Sequence, residues 1–110
     1  MSGAERDILH RLAATIESRR GAEPASSHTA KLLAKGPSKC AQKFGEEAVE
    51  AVIEAARGNR EALIEEGADV LYHFLVMLAA RKVTLDEVLA ALARREGKSG
   101  VAEKAARKPD

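Results

Sequence analysis

Residues 43–73 read KFGEEAVEAVIEAARGNREALIEEGADVLYH, and this stretch decides the fold. Gly58 is typical of a residue that ends a helix, and Asn59 can cap the helix that follows it. The first helix is predicted to begin near Pro37, which suits an opening turn, and the second to end near Arg81. The stretch therefore predicts two long helices packed side by side as a hairpin.

The rest of the chain also has helical apolar spacing, and its aromatic content is only 3%. We predict three further helices: one from about Asp7 to Arg20, a short one capped by Ser27 or Thr29 that ends at Gly36, and one from a Thr84/Glu87 capping box to Gly97. The fold class is therefore all-α, a bundle of about four to five helices in one domain over residues 1–97. Residues 98–110 form a basic tail, predicted to be mobile unless a ligand or partner orders it.

Charge and length exclude several classes of protein. Eighteen basic and seventeen acidic residues give a net charge of +1, which provides no general attraction to nucleic acid or to a membrane surface. The longest apolar run is far shorter than the ~20 residues that span a bilayer, and no signal sequence is evident, so we expect a cytoplasmic protein. A 110-residue chain has a limited core, so we also expect a homodimer or a higher oligomer. The one cysteine, Cys40, is expected to pack in a helix.

Two pairs of carboxylates stand on the predicted hairpin: Glu47 with Glu50, and Glu66 with Asp69. Each pair is spaced i,i+3, which puts both of its side chains on one face of a helix. The first pair belongs to an acidic stripe that alone could be ordinary solvated surface, since Val49 and its neighbours form an apolar face opposite. The second pair begins a strongly apolar helix, where unpaired carboxylates would be costly. Together the four acids predict a metal site between the helices.

Ligation by oxygen alone favours Mg²⁺, with Mn²⁺ as the alternative, over zinc. Such a site suits phosphate chemistry, because the cation can neutralise phosphate charge. The acid left over, Glu46, could orient or deprotonate a water molecule. Lys31 and Lys43 are candidate contacts to substrate phosphate, with Lys39 nearby, although solvated surface is the ordinary role of a lysine. His73 is interpreted either as a core histidine or as a neighbour of the metal.

Three segments carry a resemblance to a known family: SHTAKLL at 27–33, KFGEEAVE at 43–50 and EGADVLYH at 66–73. They resemble the phosphoribosyl-ATP pyrophosphohydrolases, within the MazG-type all-α nucleoside triphosphate pyrophosphohydrolase superfamily. REGKSG at 95–100 is similar as well, so the resemblance covers nearly the whole chain. Family members commonly have tyrosine at the position of His28 and an aliphatic residue at that of Phe44, which leaves details of the substrate pocket open.

The resemblance implies hydrolysis of the bond between the α and β phosphates of 1-(5-phosphoribosyl)-ATP. The products would be phosphoribosyl-AMP and pyrophosphate, in the second step of L-histidine biosynthesis. It also implies subunits that complete one another's cores. The alternatives are a house-cleaning (d)NTP pyrophosphohydrolase of the same superfamily and a non-catalytic helical interaction module that binds metal structurally.

Gly45, in mid-helix, costs about 1 kcal/mol relative to alanine, which indicates either close helix packing or simple tolerance.

Overall fold

The computed structural model describes residues 7–96, and within that range the fold is all-helical. Five α-helices follow one another, with a single 3-10 turn at Pro24–Ser26. They are α1 (Ile8–Ser18), α2 (His28–Ala34), α3 (Pro37–Arg57), α4 (Arg60–Ala80) and α5 (Leu85–Arg95). The predicted tail at 98–110 lies outside the described residues.

Local capping chemistry defines most of the helix ends. The Ser27 hydroxyl accepts the backbone N–H of Ala30, and the Asn59 side chain accepts that of Ala62. Thr84 and Glu87 form the predicted capping box, in which each side chain accepts the other residue's backbone N–H. The first helix is shorter than predicted, because it ends at Ser18 and not near Arg20.

The turn of the α3–α4 hairpin is only two residues long. Gly58 ends α3 in the left-handed conformation, with φ at +75°, which glycine adopts without a Cβ penalty. Asn59 then caps α4. Two 21-residue helices joined by so short a turn pack against each other along their length.

The hydrophobic core lies where the carboxyl-terminal half of α4 meets α1, α2 and the first turns of α3 and α5. Its buried members are Ile16, Leu32, Cys40, Leu75, Val76 and Leu85. The Cys40 thiol donates to the carbonyl of Leu32 at 3.2 Å, and burial raises its pKa, so this cysteine has the structural role expected of it. Across residues 7–96, every helix is too short or too polar to cross a membrane.

The outer face of α3 reverses the usual arrangement of an amphipathic helix. Val49, Val52 and Ile53 point to solvent, with Val52 66% exposed, while the acidic stripe turns toward α4. Ile64 on α4 is also 56% exposed, and Leu92 on α5 is 62% exposed. The hairpin therefore presents apolar surface outward and carboxylates inward.

Gly45 lies in α3 with open space around it. Apart from its chain neighbours and its own helix backbone, a Cβ built at this position would meet no atom of residues 7–96 within 4 Å. Close packing between helices of the same chain therefore does not explain this glycine, contrary to one of the two interpretations of the sequence.

Candidate active site

Three of the predicted acids meet between α3 and α4. One carboxylate oxygen from each of Glu47, Glu66 and Asp69 lies within 4.8 Å of the other two. Glu47 comes from α3 and the other two come from α4, so the hairpin itself brings the group together. Glu47 and Glu66 are half-buried and Asp69 is exposed, so the group faces both the helix interface and solvent.

The surroundings of Glu66 disfavour the charged form of its carboxyl group. Its Oε2 atom is buried and has no hydrogen-bond partner within residues 7–96. Burial, followed by the negative charge of Glu50, raises the pKa of Glu66 from 4.5 to about 7. Among the described residues, no ion pair offsets the charge of Glu66.

Glu50 joins the group through contacts with both helices, although it is not one of the three clustered acids. Its hydrogen bond with Glu47 raises the pKa of Glu50. Burial alone would raise the pKa of Glu47, but the hydrogen bond with Glu50 and the charge of Lys43 outweigh it, so that pKa is lowered. Lys43 Nζ lies 3.5 Å from Glu47 Oε1, and this is the ammonium group nearest to the acids that the described ion pairs record.

Glu46 stands apart from the three clustered acids. Its Oε2 accepts a hydrogen bond from Gln42 Nε2 at 3.0 Å, and its Oε1 lies 3.9 Å from Lys43 Nζ. The side chain is about half exposed, so water can reach it. Lys31 is placed differently, because it lines a cavity of about 480 Å³ at the start of α2.

Buried and aromatic groups support the α4 side of the site. His73 is buried, and burial lowers its pKa. The Tyr72 ring packs edge-on against His73, with 4.9 Å between centroids, and stacks with His28 at 6.4 Å. The Tyr72 hydroxyl is hydrogen-bonded to that of Thr29 at 2.6 Å. These contacts connect α2 to the helix that carries Glu66 and Asp69.

The geometry of the clustered carboxylates suits a cation. Carboxylate oxygens converge from two helices, and one of them is buried without a partner. Hard divalent cations such as Mg²⁺ prefer oxygen ligands of this kind. The residues fit such an ion, which would supply the charge that Glu66 lacks.

Sequence reasoning missed three features around the site. The Thr29–Tyr72 hydrogen bond joins residues 43 positions apart, so no local pattern reveals it. Lys35 and Gln42 line a cavity of about 340 Å³ between α2 and α3, together with His28, Lys39, Lys43 and Glu46. The i,i+4 spacing of Gln42 and Glu46 could have revealed their contact, whereas Lys35 ends a different helix.

Comparison with known proteins matches nearly the whole chain to the family that the sequence resembles. A sequence model described as Phosphoribosyl-ATP pyrophosphohydrolase matches residues 9–96. A phosphoribosyl-ATP pyrophosphatase of Ruegeria pomeroyi is 75% identical over 100 residues, covering 91% of this chain and 95% of the relative. The protein of that name from Paracoccus denitrificans is 67% identical over 108 residues, or 98% of this chain and the whole relative. The chain that carries this carboxylate group therefore belongs to the phosphoribosyl-ATP pyrophosphohydrolase family.

Proposed function

We propose that the protein hydrolyses the α–β phosphoanhydride bond of 1-(5-phosphoribosyl)-ATP, releasing phosphoribosyl-AMP and pyrophosphate in the second step of L-histidine biosynthesis. One observation carries the proposal: in a chain of this family, three carboxylates converge within 4.8 Å. A polyanionic substrate cannot approach such a group unless a cation neutralises it. Triphosphate hydrolysis assisted by a metal is the reaction that this arrangement suits.

Mg²⁺, with Mn²⁺ as a substitute, is the proposed cofactor. Glu47, Glu50, Glu66 and Asp69 would hold it, since the first, third and fourth are clustered and Glu50 contacts both helices. When bound, the metal would supply Lewis-acid polarisation of a phosphoryl oxygen and offset the charge of the leaving pyrophosphate. The unpartnered Glu66 Oε2 is the oxygen with most to gain from such a ligand.

Glu46 is the proposed base for the attacking water. Gln42 holds Glu46 Oε2 at 3.0 Å, which fixes the carboxylate and leaves Oε1 as the atom that accepts the proton. Lys43, 3.5 Å from Glu47, is placed to contact substrate phosphate beside the clustered acids. Lys31, on the cavity at the start of α2, would meet the substrate from that side.

Self-association is the other part of the proposal. Val49, Val52 and Ile53 give α3 an apolar outer face, and Gly45 continues it one turn earlier without a side chain. A second copy of the chain that packs its own α3 face there would bury this surface and supply the core that a small chain lacks. The protein would then work as a homodimer or a larger assembly.

An assay of pyrophosphate release tests the proposed reaction. The purified protein is incubated with phosphoribosyl-ATP and, in parallel, with ATP and the four dNTPs, with Mg²⁺ and with EDTA. We expect release from phosphoribosyl-ATP, dependent on the cation and much faster than from any plain nucleotide. Preference for a dNTP would assign the chain a house-cleaning role, and no release with any nucleotide would favour a non-catalytic module.

A further inference from the structure

The proposed substrate carries a phosphate that plain nucleotides lack. Besides the triphosphate, phosphoribosyl-ATP has a 5′-phosphate monoester on the second ribose, which is attached to the adenine ring. ATP and the dNTPs have no group at that position. An enzyme that selects phosphoribosyl-ATP therefore gains most from a cationic subsite separate from the clustered carboxylates.

The cavity between α2 and α3 has the composition of such a subsite. Its volume is about 340 Å³, and three of its seven lining residues are lysines. Lys35 ends α2, whereas Lys39 and Lys43 lie one turn apart on α3. Gln42, His28 and Glu46 add polar groups, and Leu32 adds an apolar patch against which a ribose could rest.

Two of these lysines are not paired with the one carboxylate that lines the cavity, Glu46. Lys43 lies within 4.0 Å of two acids, Glu46 and Glu47. In contrast, Lys35 and Lys39 form no ion pair within the described part of the chain, and the recorded contact of Lys39 is with Gln42 Oε1 at 3.4 Å. Ammonium groups around one concavity repel each other, and a phosphate dianion would relieve that repulsion.

The position of the cavity also suits the second end of the substrate. Lys39 precedes Glu47 by eight residues, which is about 12 Å along the helix axis, and Lys43 lies between them. A molecule lying along α3 could place its triphosphate at the clustered acids and its opposite end at Lys35 and Lys39, because Lys43 and Glu46, which also line the cavity, lie nearer to Glu47 along the helix. We propose that Lys35 and Lys39 bind the 5′-phosphate of the second ribose, and that this subsite distinguishes phosphoribosyl-ATP from ATP; the inference rests on the proposed function.

The test uses the double variant Lys35→Gln/Lys39→Gln with Lys82→Gln, an exposed lysine between α4 and α5, as control. Losing charge-assisted contacts is expected to raise the KM for phosphoribosyl-ATP about tenfold or more, while kcat changes less than about twofold. Inhibition by phosphoribosyl-AMP should weaken to the level of AMP, and inhibition by AMP, which lacks the second phosphate, should not change. The thermal unfolding midpoint should stay that of the unaltered protein.

The possible results separate this inference from the proposed function. If the unaltered protein is active and the double variant keeps its KM and its inhibition by phosphoribosyl-AMP, the subsite is wrong and the function stands. A fall in kcat at constant KM would also overturn the subsite, because it would put the lysines at the reacting phosphates. An unaltered protein with no activity on phosphoribosyl-ATP would overturn both.

Discussion

The hydroxyl oxygens of Thr29 and Tyr72 lie 2.6 Å apart and connect the first turn of α2 to the middle of α4. Because the bond is partly buried, its loss leaves a hydroxyl without a partner. We expect Tyr72→Phe and Thr29→Val each to lower the free energy of unfolding by about 1 kcal/mol. Urea denaturation measures this, and the double variant should lose much less than the sum of the two. Additive losses would show that the bond contributes nothing.

The raised pKa of Glu66 predicts that the metal-free protein loses stability as the pH rises toward neutral. Its pKa is about 7 in the folded protein and near 4.5 otherwise, so between these values the folded state holds a proton that the unfolded chain releases. Stability should therefore fall as pH rises from about 5 to about 7. Thermal unfolding in EDTA checks this, and Mg²⁺ should stabilise the protein more at pH 8 than at pH 6.

Two variants isolate the contribution of Glu66. Glu66→Gln should flatten the metal-free pH profile, whereas Glu65→Gln, at the exposed neighbouring position, should leave it unchanged. A profile that keeps its slope in Glu66→Gln would assign the effect to another acid.

Removal of a clustered carboxylate should abolish activity. We expect Glu47→Gln or Asp69→Asn to lower kcat/KM for phosphoribosyl-ATP at least about a hundredfold, because each removes charge that holds the cation. Isothermal titration with Mg²⁺ should show weaker binding in both variants. Full turnover by either would remove these acids from the mechanism.

Glu46→Gln should separate proton transfer from metal binding. Because Glu46 lies outside the clustered acids, its amide variant should keep Mg²⁺ affinity while kcat falls by about a hundredfold. The same titration and the pyrophosphate assay measure both quantities. Weaker Mg²⁺ binding with normal kcat would make Glu46 a ligand and not the base.

The apolar face of α3 predicts the response of the assembly to a buried charge. Val52→Glu should shift the protein toward a monomer, since an unpaired carboxylate in an apolar interface is costly. Sedimentation velocity measures the change, and Ala90→Glu, at an exposed alanine on α5, is the control. Identical sedimentation of Val52→Glu and the unaltered protein would exclude this face.

The helix ends could be predicted because they depend on local chemistry. The features that could not be predicted depend on how separate helices pack against each other. Ser27, Asn59 and the Thr84/Glu87 pair cap helices as expected because a cap depends only on residues within one turn. Helical spacing put the acids on shared faces. The apolar helix that carries Glu66 and Asp69 predicted that the acidic face of α3 meets α4; spacing alone could not, because periodicity identifies two faces without saying which one meets a neighbour. The cavity containing Lys35 was missed for the same reason, since it needs the relative placement of two helices.

The turn at Gly58 has a consequence for how the chain can vary. Glu50 and Glu66 each lie eight residues from this glycine, and Glu47 and Asp69 each lie eleven, so matching acids stand opposite each other. An exposed loop ordinarily tolerates insertions. Here one added residue would shift a helix by about 1.5 Å and rotate it by about 100° relative to its neighbour. The length of the turn thus sets which acids face each other, and a change there would separate Glu47 from Glu66 and Asp69 without altering any of the three.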